Sequence, residues 1–115
     1  MFVKPEILVI CPTAAGRLYL GVLLGRIWYQ PLLAKIVDEA IHHAHRAKFA
    51  AIALDGDMPD EALLSTVSIL KTHPITAGAP LVVFSSKTTP VAGTLLQRGC
   101  AAVLPRPVDF SATYA

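Results

Sequence analysis

At 115 residues the chain has the length of one ordinary domain, enough to bury a core without disulfides or a structural metal. It is 54% hydrophobic and only 16% charged, which excludes an intrinsically disordered segment and leaves apolar surface for a partner. The net charge is only +2, with no Lys/Arg stripe, so nucleic-acid binding is not expected.

The longest apolar stretch, Leu18 to Leu33, is broken by Gly21, Gly25, Arg26, Gln30 and Pro31. It cannot form an uninterrupted helix of the roughly 20 residues that a bilayer requires. The N-terminus carries one lysine, then Pro5 and Glu6, and does not read as a signal peptide. Two cysteines, Cys11 and Cys100, lack CxxC partners, which argues against zinc and fits a reducing cytoplasm.

Glu6 to Cys11 is a short apolar run bounded by Pro5 and Pro12-Thr13, the pattern of a strand buried on both faces. Thr13 is placed to cap a helix running to about Ile27, which Gly16, Gly21 and Gly25 weaken. Leu32 to Ile36 reads as a second short strand. Val37, Ala40, Ile41 and Ala44 then recur at helical spacing opposite Asp38, Glu39, His42 and Arg46.

Phe49 to Leu54 is a third buried strand, ending at Asp55-Gly56-Asp57. Leu63, Val67 and Leu70 mark one face of a helix over Glu61–Lys71, with Asp60 as its cap and His73-Pro74 as its stop. Leu81 to Phe84 is a fourth strand and Val91 to Gln97 a short helix, with Gly99 in the usual position after its end. Ala101 to Leu104 is a fifth strand, followed by Pro105-Arg106-Pro107.

Strands alternating with helices predict a parallel sheet covered on both faces, with right-handed crossovers. In such sheets the chemistry sits at the C-terminal ends of the strands. The residues there are Cys11-Pro12, Asp55-Gly56-Asp57, Ser85-Ser86 and Pro105-Arg106.

These strand ends resemble the response-regulator receiver family of two-component signalling. Leu54-Asp55-Gly56-Asp57-Met58-Pro59 is similar to the family's LDxxMP segment, Pro80 to Ser86 to its fourth strand, and Gly99 to Val108 to its Gly-Ala…Lys-Pro segment. The resemblance implies a five-stranded flavodoxin-like sheet in the order 2-1-3-4-5, with Asp55 at the phosphoacceptor position. Ser85, Arg106, Pro107 and the backbone carbonyl of Asp57 would support it.

The sequence departs from the family at several points. An acidic pair usual in the family is replaced by Cys11-Pro12, poor ligands for a hard cation. Any magnesium would be left to Asp55 and Asp57, so no cofactor is firmly expected. Arg106 stands where the family has lysine, and its fork suits a clamp on Asp55. Val103 stands where an aromatic switch residue is common.

The chain is therefore expected to be a degenerate receiver (a pseudo-receiver) rather than an enzyme. It would act through a histidine kinase, a phosphotransfer protein, an attached output domain or a second copy of itself. The alternatives are a working phosphoacceptor with atypical metal coordination and a nucleotide site built on Arg106 and Asp109. Residues 1–115 are expected to form one domain, with a short or truncated last helix at Phe110 to Ala115, as part of a larger signalling protein.

His42, His43 and His45 read as a solvated helix face rather than a metal site. Arg17 to Tyr29 is apolar around most of its circumference, and its outer side is a candidate partner surface. Cys11 and Cys100 are expected to lie too far apart for a disulfide.

Overall fold

The computed structural model describes residues 4–46, 48–85 and 91–105. In chain order they form β1 (Glu6–Ile10), α1 (Ala14–Arg26), β2 (Gln30–Ala34), α2 (Val37–Ala44), β3 (Ala51–Asp55), α3 (Asp60–Thr72), β4 (Leu81–Ser85), α4 (Ala92–Gln97) and β5 (Ala102–Pro105). All neighbouring strands pair in parallel, in the order β2-β1-β3-β4-β5. This is the expected topology. The short fifth helix expected at 110–115 lies outside the described residues.

The continuous apolar runs β1, β3 and β4 take the interior of the sheet because both of their faces need burial. Ile7, Val9, Ala53 and Phe84 meet Leu20, Leu23 and Leu24 of α1 on one face. Leu8, Ile10, Ile52, Leu54, Leu81 and Val83 meet Ala40 and Ala44 of α2, Leu63, Val67 and Leu70 of α3, and Leu95 of α4 on the other. Each such fully buried aliphatic side chain contributes about 1.5–3 kcal/mol. Among the described residues, no helix is long and apolar enough to cross a membrane.

β2 begins two residues earlier than the sequence suggests and takes in Pro31. The reason is its place at the sheet edge. Gln30 N donates to Pro5 O, and Ala34 O accepts from Cys11 N. Alternate residues of a parallel strand address the same neighbour, so 30, 32 and 34 face β1 while 31 and 33 face outward. Pro31 has no N–H to leave exposed, and Leu33 O accepts from His43 Nε2 at 3.2 Å. The outward edge is thereby blunted against further strand pairing.

α1 starts as expected, with Thr13 Oγ1 accepting from Gly16 N at 3.1 Å. At its other end Tyr29 N donates to Leu24 O and Trp28 N to Gly25 O, the paired bonds of a Schellman ending. The left-handed position usually held by glycine is here Trp28, at φ 69°. Its exposed ring lies under Lys4 Nζ, 5.2 Å from the centroid. The outer side read from the sequence was Tyr19, Val22, Arg26 and Trp28; Val22 is exposed as anticipated and Leu18 is exposed as well, whereas Tyr19 is partly buried against the core.

α3 corrects one expectation. Asp60 is the first helical residue rather than the cap. Pro59 holds the cap position without a side-chain bond. Asp60 and Glu61 then favour the helix N-terminus through its dipole.

At the end of β3, Gly56 N donates to Phe84 O at 2.7 Å. A Cβ at Gly56 would lie 2.8 Å from Val83 Cγ1 and 2.9 Å from Phe84 O, whereas one at Gly78 meets nothing within 4 Å. Gly56→Ala is therefore expected to lower stability by about 1–3 kcal/mol in urea unfolding. Gly78→Ala should change it little, and equal effects of the two variants would contradict the close approach.

Candidate functional site

The strand register builds the site. Ile10 pairs with Leu54, so Cys11 and Asp55 follow side by side at the C-terminal edge. Asp55 pairs with Phe84, which sets Ser85 beside the β3–α3 loop. The structure thus brings together Cys11, Asp55, Asp57 and Ser85.

Asp55 is a buried carboxylate, 4% exposed. Its Oδ1 accepts from Asp57 N at 2.9 Å, the local turn that an aspartate makes with the backbone two residues on. That bond orients the carboxylate and turns Oδ2 toward β1. Cys11 Sγ lies 3.5 Å from Oδ2 and donates to it. Three oxygens stand within 3.7 Å of this thiol, the others being Thr13 O and Thr13 Oγ1. The single S–H proton favours the carboxylate, because a charged acceptor makes the stronger bond. Ser85 Oγ donates to Asp57 Oδ1 at 3.3 Å, so the contacts run from β1 through β3 and its loop to β4.

Arg17 was not singled out in the sequence, yet it belongs to this edge. Its Nη1 donates to Cys11 O at 2.9 Å and to Pro12 O at 3.1 Å. One guanidinium thus pins both carbonyls of the loop after β1. No spacing rule announces such a contact, because it is made back across the first turn of α1.

Burial pushes the Cys11 thiol above its ordinary value, and the neighbouring Asp55 charge adds to this, partly offset by Thr13. Cys11 is therefore held as the neutral thiol. Hard divalent cations take carboxylate, carbonyl and water oxygens. The end of β1 offers a protonated thiol and a proline ring, and neither serves. Among the described residues, no three His, Cys, Asp or Glu side chains converge on a common point. The donor set does not fit the magnesium ion that the family resemblance implies.

The remaining sequence candidates fall elsewhere. Arg106 and Pro107, the Arg106–Asp109 pair and Ser86 lie outside the described residues. Val103 is half-buried against the α2–α3 face of the core. Cys11 and Cys100 are free thiols in the clusters on opposite faces of the sheet. The His42 and His43 rings lie 6.4 Å apart at a 54° tilt, and His45 meets His73 edge-on at 6.0 Å, a pairing between the ends of α2 and α3 that the sequence did not suggest.

The raised Cys11 thiol has a consequence for stability. The folded chain holds this proton more tightly than the unfolded chain, whose thiol titrates near 9.0. The stabilisation is complete below that value and is lost as pH rises through it to the raised folded value. Between about pH 8 and 10 the urea midpoint is expected to fall more steeply in the parent than in Cys11→Ala. Parallel slopes would show that this thiol does not contribute.

No protein-family model matches the chain, and no curated protein matches it in sequence. Its similarity to solved structures is extensive. A chemotaxis response regulator of Vibrio cholerae superposes with a TM-score of 0.77 at 18% identity, over 97% of this chain and 94% of that one. A CheY-like response-regulator receiver domain from Methylobacillus flagellatus gives a TM-score of 0.79 at 19% identity, over 96% and 93%. The receiver domain of a sensor histidine kinase from Pseudomonas aeruginosa, which has a magnesium ion coordinated in its active-site cleft, gives 0.79 at 18% identity, over 97% and 93%. With its five parallel strands in the order 2-1-3-4-5 and a buried aspartate closing the central strand, the chain has the fold of response-regulator receiver domains.

Proposed function

We propose that this chain is a receiver-type regulatory domain of a two-component or phosphorelay pathway that works by docking to a protein partner, with phosphorylation of Asp55 weak or absent. The observation that carries this reading is the Cys11 thiol donating to Asp55 Oδ2 at 3.5 Å. It stands where the receiver family has carboxylates. A phosphoryl group transferred to Asp55 would bring added negative charge into a buried position, and the loop after β1 supplies no carboxylate to hold a compensating cation. The chain then acts as a binding module rather than an enzyme. Its partner is a histidine kinase, a phosphotransfer protein, an attached output domain or a second copy. Leu18, Val22 and Trp28 are exposed apolar side chains available for such a contact.

A second reading, a competent phosphoacceptor at Asp55, is favoured by one observation. Ser85 and Asp57 remain linked beside Asp55 at 3.3 Å, so a hydroxyl and a second carboxylate stand where phosphoryl chemistry needs them.

Beryllofluoride with millimolar magnesium, followed by amide NMR, separates the two. The parent chain is expected to show no saturable shift at Asp55 or Ser85. The double variant Cys11→Asp, Pro12→Asp, which restores an acidic pair at the end of β1, is expected to respond at both. A saturable response of the parent at these amides would establish the second reading instead.

A further inference from the structure

We propose that the groove between α2 and α3, at the strand-end edge of the sheet, binds a small amphipathic monocarboxylate: an aliphatic body with one anionic end. The inference goes beyond the reading of Asp55 and does not depend on it, although Pro12 and Met58 lie along both.

The groove encloses about 280 Å³ and is floored by Ile10 and Met58. Val37, Ala62 and Ile69 are among its walls. That volume is just below the roughly 300–1,000 Å³ of small-molecule sites, so the body it takes is short. Its rim is apolar too: Ile36 is 57% exposed and Ile69 37%. An isolated exposed isoleucine is unremarkable, but two flanking one apolar concavity form a surface that gains from being covered.

Charge selects the occupant. Lys35 is the one charged side chain in the lining, and among the described residues it makes no ion pair. Covering it with a purely apolar ligand would strip water from a cation without replacing it. A carboxylate end pairs with it, while the Ser65 and Thr66 hydroxyls in the lining offer further hydrogen-bonding groups.

The occupant carries one negative charge rather than several. Asp38 and Glu39 occupy the first turn of α2, and Asp60 and Glu61 the first turn of α3. Both turns adjoin the groove, so a polyanion such as an organic phosphate or an acidic peptide meets repulsion there. The helix starts do not reverse this, since each already has its own acidic residues facing the dipole.

Titration of the isotopically labelled chain with sodium octanoate, followed by amide NMR, tests the proposal. Saturable shifts are expected at Lys35, Ile36, Val37, Ala62, Thr66 and Ile69. Lys35→Glu is expected to weaken binding by roughly fivefold or more. Octan-1-ol, with the same body and no charge, is expected to bind more weakly than octanoate. Ala62→Trp, a substitution at an exposed helical position that fills the groove, should abolish the shifts in a chain whose spectrum remains folded. The proposal is overturned if these amides do not move or move without saturation, if Lys35→Glu leaves the affinity unchanged, or if octan-1-ol binds as tightly as octanoate. Shifts confined to the α1 face would overturn it equally.

Discussion

The parallel register of β1 on β3 is the constraint on which the rest of this structure depends. Ile10 lies opposite Leu54 because each strand must bury Leu8 and Ile10, or Ile52 and Leu54, against α2 and α3 while sending Ile7, Val9 and Ala53 toward α1. A slip of one residue would send each strand's side chains to the wrong face. The same register leaves Cys11 and Asp55 adjacent where the strands end. The site is therefore a by-product of core packing.

What occupies that geometry departs from the pattern that the family resemblance implies. A carboxylate only 4% exposed needs compensation, and a receiver-type site with carboxylates on β1 would provide it through a shared cation. Among the described residues, hydrogen bonds contribute to it, from the Asp57 amide to one oxygen and the Cys11 thiol to the other. Burial keeps that thiol protonated, and so keeps it a donor. Arg17 pins the adjacent carbonyls of Cys11 and Pro12, stiffening the loop that carries them.

Much of the fold was legible because apolar runs and helical periodicity are local signals. The runs Glu6–Cys11, Phe49–Leu54 and Leu81–Phe84 announced β1, β3 and β4, which span Glu6–Ile10, Ala51–Asp55 and Leu81–Ser85, since strands buried on both faces are mostly apolar. β2 was misplaced by two residues, because an edge strand is only half-buried and its Pro31 resembles a terminator. That proline is tolerated because its missing N–H faces away from β1. The role of Asp60 was shifted by one residue for a similar reason. Cap and first-turn positions favour the same acidic residues, and only backbone geometry tells them apart.

The sequence by itself determined the alternation of strands and helices, the aspartate closing β3 and the Cys11-Pro12 pair after β1. Each follows from residue type and short-range spacing, whereas the strand order was implied by the family resemblance. Tertiary structure alone decided that the Cys11 thiol points at Asp55, that Ser85 engages Asp57, that His43 covers the outward carbonyl of β2, and that the exposed Lys35 borders a groove lined by side chains from β1, α2 and α3. These contacts join residues far apart along the chain, or turn on which way a side chain points. Their energy belongs to a pair of positions, and neither residue's identity alone reveals it.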